Sequence, residues 1–203
     1  MSEALLKNEF ITEEEYLTGE ELTEIAHEYV EGRVFAMSVP TDTHGEISGA
    51  IYRRLGDHLE GKRCRPWMGN MRVRLAFLNR TIHYIPDVLV ASDDPPRDRR
   101  FREAPLAIFE VISASSEATD QREKLLAYTT LPTLQNYFIV RQDRMEIAHV
   151  RRTASGWEEF TLNKPDQEVE IPEVDFRLPL RTIYAAASLW PPPTFRLPAM
   201  AGA

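Results

Sequence analysis

A single cysteine, Cys64, among 203 residues excludes an internal disulfide and any cysteine-built metal cluster. A reducing cytoplasm is the expected compartment. No apolar run is long enough to span a bilayer, since stretches such as Leu106 to Ile112 fall far short of the roughly 20 residues required. The first residues, MSEALLKNEF, lack a basic start followed by an apolar core, so no signal peptide is expected. Internal repeats, low-complexity tracts, phosphate-binding glycine loops and nucleophile elbows are also missing. What remains is 43% hydrophobic and 28% charged, the composition of an ordinary globular domain. One domain is expected over 1–190, followed by a proline-rich tail over 191–203 that opens with Pro191-Pro192-Pro193.

Positive charge is also scarce: the net charge is −8. The deficit is local. Residues 1–31 carry ten acidic side chains and one basic one, a net −9, which leaves the rest at +1. Basic clusters at Arg53-Arg54, Lys62 to Arg65, Arg97 to Arg102 and Arg151-Arg152 are candidates for phosphate contacts. Taken alone, they read more simply as solvated surface.

Helices are expected at Thr12 to Leu17, with Thr12 and Glu15 forming a capping box, and over Glu20 to His27. A further helix is expected over Thr43 to Glu60, where Ile47, Ala50, Ile51, Leu55 and Leu59 recur at helical spacing. Others are expected over Glu117 to Thr130, stopped by Pro132, and over Arg181 to Leu189. Strands are expected at Val34 to Ser38, Arg65 to Met68, Met71 to Leu78, Ile82 to Tyr84, Asp87 to Ala91 and Leu106 to Ser113. Three more follow at Tyr137 to Val140, Met145 to Val150 and Trp157 to Leu162, and Asp93 to Glu103 reads as a charged loop. The order predicts an α/β fold with a central mixed β-sheet flanked by helices.

Glu110 is the strongest anomaly, because the apolar strand around it predicts burial on both faces. A carboxylate there loses hydration and needs a cation or several donors. A metal and an arginine salt bridge satisfy that need equally well. Asp87 opens a second apolar strand, and two adjacent strands each presenting a carboxylate form an oxygen-rich pocket suited to Mg²⁺. Lys124 follows on the next helix, on one face with Asp120; by itself that pair reads as a surface ion pair. Alongside the two carboxylates, the ammonium is placed to orient a water or offset phosphate charge.

The ordered strings Ile85-Pro86-Asp87-Val88-Leu89-Val90, Phe109-Glu110-Val111-Ile112-Ser113, Asp120 to Tyr128 and Asn136-Tyr137-Phe138-Ile139-Val140 resemble the Uma-two family of restriction-endonuclease-type proteins. That family lies in the PD-(D/E)xK nuclease superfamily. Tyr29-Val30-Glu31-Gly32-Arg33-Val34 looks like its Glu-x-x-x-Gly entry, and Met37-Ser38-Val39-Pro40 with His44 looks like the segment after it. The resemblance spans roughly residues 10 to 190. It implies a restriction-endonuclease-like fold, with Asp87 and Glu110 as metal ligands and Lys124 as the active-site lysine. It further implies Glu31 as an acidic group near the site and Asp120 and His44 as accessory positions. The superfamily's usual lysine, two residues after the second carboxylate, is Ile112 here, so Lys124 stands in from the helix.

The implied function is a Mg²⁺- or Mn²⁺-dependent endonuclease hydrolysing DNA phosphodiesters, with Arg97, Arg99, Arg100 and Arg102 on the backbone. A homodimer would suit a cut on both strands. The alternative is a non-catalytic nucleic-acid or protein binding module on the same fold, which the acidic N-terminal segment favours. A small-molecule metallohydrolase ranks third. His27, His58, His83 and His149 show no ligand spacing, and Trp67, Trp157 and Trp190 read as packing residues.

Overall fold

The structure is a computed structural model that describes residues 10–77, 80–92, 98–113 and 118–187. Helix α1 (Glu13–Glu20) starts where its capping box places it: Thr12 Oγ1 accepts from Glu15 N at 3.3 Å, and the Glu15 carboxylate accepts from Thr12 N at 2.8 Å. The helix expected over Glu20 to His27 does not form. Leu22 and Ile25 are 86% and 58% exposed, so a helix there would have no apolar face to bury. Instead the Glu20 carboxylate accepts from the His27 backbone at 3.1 Å and holds the chain end where strand β1 (His27–Val30) begins.

A two-residue turn joins β1 to β2 (Arg33–Ala36), with Glu31 and Gly32 at φ 51 and 87. Gly32 is required there, because a Cβ would meet the Phe10 ring at 2.4 Å. With β4 (Arg72–Phe77), β5 (Arg80–Tyr84) and β7 (Phe101–Arg102) these strands make a five-stranded sheet in the order β2-β1-β5-β4-β7. Strand β7 falls inside the segment expected to be a charged loop, where Phe101 pairs with Arg72 of β4.

The second sheet carries the chemistry. It contains β3 (Cys64–Met68), β6 (Val88–Ser92), β8 (Pro105–Ile112), β9 (Asn136–Arg141), β10 (Ile147–Thr153) and β11 (Gly156–Leu162), in the order β11-β10-β9-β8-β6-β3. Every neighbouring pair is antiparallel except β8 with β9, so the sheet is mixed, as expected.

Strand β8 is buried on both faces. On one side Ala107, Phe109 and Val111 meet Ile47, Ile51, Leu55 and Leu59 of helix α2 (Asp42–Leu59). On the other, Ile108 meets Tyr84, Leu131, Leu134 and the Tyr128 end of helix α3 (Ala118–Tyr128). A hairpin of β12 (Glu168–Ile171) and β13 (Phe176–Pro179), absent from the expectation, seals the α2 side with Val169, Ile171, Phe176 and Leu178. Helix α4 covers only Leu180–Ile183, shorter than expected; positions 188–189 of the expected helix lie outside the described residues, as does the tail. No helix among the described residues is long and apolar enough to cross a membrane.

Candidate active site

Strands β6 and β8 pair antiparallel with Val88 opposite Phe109. Continuing that register by one residue puts Asp87 opposite Glu110. Asp87 sits in the bend just before β6, so the bend turns its carboxylate onto the neighbouring strand, where Oδ2 accepts from Val111 N at 2.6 Å. Its other oxygen, Oδ1, lies 3.0 Å from His44 Nε2. His44 comes from the first turn of α2, whose N-cap Thr41 accepts from His44 N at 3.2 Å. The Asp87 hydrogen bond raises the affinity of His44 for its proton above the ordinary imidazole value, and burial works against it.

Glu110 is 7% exposed. Tyr128 donates its hydroxyl to Oε1 at 3.0 Å, and the Lys124 ammonium stands 3.8 Å from Oε2. Tyr128 and Lys124 are four residues apart on α3, so one helical face delivers both. Burial first, then the charges of Asp87 and Glu28, push the Glu110 carboxyl up to about 8 against the pull of Lys124. One lysine therefore leaves this carboxylate under-compensated.

Lys124 is held more closely by a residue that the sequence reading passed over. Glu28, on β1 of the other sheet, accepts from Lys124 Nζ at 2.8 Å and from Ile85 N at 3.2 Å, both through Oε1. Lys124 also lies 5.3 Å from the Tyr84 ring centroid. The expected acidic group, Glu31, is elsewhere. It occupies the β1–β2 turn and pairs with Arg80 at 3.1 Å on the exposed surface. The signal for Glu28 was present: counted back from Gly32, the Glu-x-x-x-Gly spacing falls on Glu28. No pattern flagged Tyr128, which looked like an apolar-face aromatic.

The remaining expected positions separate. Asp120 belongs to α3, but its side chain lies outside the described residues, as does all of Arg97. Arg99 is exposed. Arg100 is engaged by its own chain at the surface, bonding Glu14 at 3.0 Å and Asp98 at 2.8 Å. Arg102 lies over the Trp67 ring at 4.6 Å and donates to the Phe101 carbonyl at 2.9 Å. The structure therefore does not present Arg100 and Arg102 as an open phosphate-binding row.

Asp87, Glu110, Lys124 and His44 line one cleft of about 510 Å³, roofed by Met37 to Thr41. An adjoining hollow of about 370 Å³ continues it past Glu28, Tyr84 and Phe35. Among the described residues no three or more His, Cys, Asp or Glu side chains form a closed metal cage. The pair Asp87 and Glu110 is nonetheless an all-oxygen donor set, and the nearest ammonium, Lys124, stands closer to Glu28 than to Glu110. That combination fits a hard divalent cation that completes its shell with water and phosphate oxygens.

The architecture defines the class first. A crystal structure from Anabaena variabilis, titled a "putative nuclease belonging to DUF820", matches with a TM-score of 0.67 over 81% of this chain and 93% of that one, at 19% identity. The two chains thus share one mixed α/β fold. The chain belongs to the Uma2 family, described as "Putative restriction endonuclease", whose profile matches residues 13–181. Among curated proteins it is 34% identical to the Synechocystis sp. protein slr1290, over 72% of this chain and 76% of that protein. It is 25% identical to sll1609 of the same organism, over 70% and 81%.

Proposed function

We propose that this chain is a metal-dependent endonuclease that hydrolyses DNA phosphodiesters, with Asp87 and Glu110 holding Mg²⁺ or Mn²⁺. One observation carries the reading: a carboxylate on β8 and one from the bend before its partner β6 share a cleft with an ammonium 3.8 Å from one of them. When bound, the metal supplies Lewis-acid charge at the phosphate.

The residues around it divide the remaining work. His44 and the Val111 amide fix both oxygens of Asp87, so the carboxylate is pre-oriented and loses little freedom on binding. Tyr128 does the same for Glu110. Glu28 and Tyr84 hold the Lys124 ammonium as a fixed positive charge facing the cleft, where negative charge develops on the phosphate. The test is cleavage of supercoiled, linear duplex and single-stranded DNA in Mg²⁺, Mn²⁺ or EDTA. Cleavage that needs metal and falls at least about 100-fold in Asp87→Asn is the expected result. Folded protein that cuts no form in either metal, with Asp87→Asn indistinguishable from it, ends this reading.

A binding module without catalysis is the second reading. It is favoured by the closeness of Lys124 to Glu28, 2.8 Å against 3.8 Å to Glu110. Calorimetric titration with Mn²⁺ separates the two: no heat, with nucleic-acid affinity intact, selects the module.

A further inference from the structure

We infer that the cleft takes a single strand of DNA with its bases unstacked, and that Phe35 is the platform on which the base beside the reacting phosphate stacks. This substrate class rests on the nuclease reading above. The register of the five-stranded sheet supplies the geometry. Phe35 of β2 lies directly across from Glu28 of β1, so the two side chains share a face. Glu28 holds the Lys124 ammonium at 2.8 Å, and Phe35, Glu28, Tyr84 and Lys124 line the same hollow. An aromatic ring therefore stands beside the charge assigned to the phosphate.

Phe35 belongs to no described core cluster and is 52% exposed. Met37 and Val39 continue from it at alternate positions and line the cleft as well, with Val39 91% exposed. One large apolar side chain on a surface has no special meaning. Three that line the cleft and its adjoining hollow, together with Lys124 and Asp87, have a use when something flat and apolar lies there.

In an intact duplex the base faces are stacked inside and the protein meets phosphates and groove edges. Affinity then comes mainly from arginine and lysine contacts to the backbone. Here Arg100 is spent on Glu14 and Asp98, and Arg102 on Trp67 and Phe101. A single strand exposes its base faces, and stacking on an aromatic ring supplies affinity that needs few cations. The three apolar side chains and the engaged arginines thus point to the same substrate form.

The experiment uses the full chain, in EDTA to prevent cleavage, and fluorescence anisotropy with a labelled mixed-sequence DNA strand and its duplex. The strand is expected to bind about 10-fold tighter than the duplex. Phe35→Ala is expected to remove about 10-fold of the strand affinity with thermal stability unchanged, and Phe35→Trp to retain it. Equal binding of both forms, or a Phe35→Ala variant that binds the strand like the parent, overturns the inference. If metal-dependent cleavage still disappears in Asp87→Asn, the nuclease reading survives that failure. If no DNA is bound or cut, both fall together.

Discussion

Glu110 and His149 are both buried titratable groups, yet they are handled in opposite ways. Glu110 keeps a partial set of partners, the Tyr128 hydroxyl at 3.0 Å and the Lys124 ammonium at 3.8 Å, and its carboxyl is pushed up to about 8 by burial. The Tyr128 bond is its shortest side-chain contact. Tyr128→Phe leaves the ring packing in place and frees the carboxylate to rotate, so metal-dependent cleavage is expected to drop about 10- to 100-fold. Stability should change by no more than about 1–2 kcal/mol. A Tyr128→Phe enzyme with parental activity would remove the orienting role.

His149, 5% exposed, stacks on Phe138 at 4.2 Å and contacts the Asn136 side chain through Nε2 at 3.0 Å. Burial, and after it the charge of Arg151, brings its pKa down from 6.5 to about 4. The unfolded chain therefore takes up a proton that the folded protein refuses, and the stability held above pH 6.5 is lost as pH falls towards about 4. The full loss is on the order of 3 kcal/mol. Urea unfolding at pH 7 and pH 5 should show a smaller difference in His149→Gln than in the parent, and equal differences would contradict the assignment.

At the level of elements, α1 shows how a cap and a tertiary anchor compare. The capping box is exposed, and Thr12→Ala should cost about 1 kcal/mol. The anchor is larger. Glu13 bonds Arg74 at 2.6 Å and fully buried His83 at 2.8 Å, and the other His83 nitrogen, Nδ1, has no hydrogen-bond partner among the described residues. Glu13→Ala leaves buried His83 without a hydrogen bond and Arg74 with Glu103 alone, at 3.0 Å, so it should cost about 2–3 kcal/mol, more than the cap, in paired chemical melts. The reverse order would show that α1 is held by its own turn rather than by the sheet.

The same comparison explains what could be read from residues alone. Capping, helical spacing in α2 and the unbroken apolar run of β8 are local signals, and each predicted its element. The β12–β13 hairpin is short and interrupted by Pro172, and its alternation acquires meaning only against α2 and the six-stranded sheet. In the cleft, Asp87 and Glu110 were visible because a charge inside or beside an apolar strand is conspicuous, and Lys124 only in their company and through the family resemblance. Glu28 was marked only by its spacing from Gly32, in an acidic segment where no single glutamate stands out, and the pairing of β1 with β5 brings it to Lys124.

For the whole molecule, the distribution of charge matters more than its sum. In the described part of the acidic N-terminal region of this −8 chain, several carboxylates are paired within the fold. Glu13, Glu14 and Glu20 are matched by Arg74, Arg100 and Arg72, at 2.6, 3.0 and 2.6 Å. That pairing docks α1 on the five-stranded sheet and also uses up arginines that would otherwise meet phosphates. Elsewhere Arg144 faces Asp143 and Glu146, and Arg177 faces Glu170. On the proposed reading, a protein built this way would neutralise few backbone charges on binding DNA and release few counterions. The logarithm of single-strand affinity should therefore fall with the logarithm of salt at a slope of only about −1 to −2, the equivalent of about one to three phosphates. A slope of about −5 or steeper would mean an extended cationic track, and would move the binding surface away from the cleft to the exposed basic clusters. Replacing Glu14 with glutamine offers an independent check. It releases one partner of Arg100 at the protein surface without touching the cleft, and it should steepen the slope only if the freed guanidinium reaches the strand.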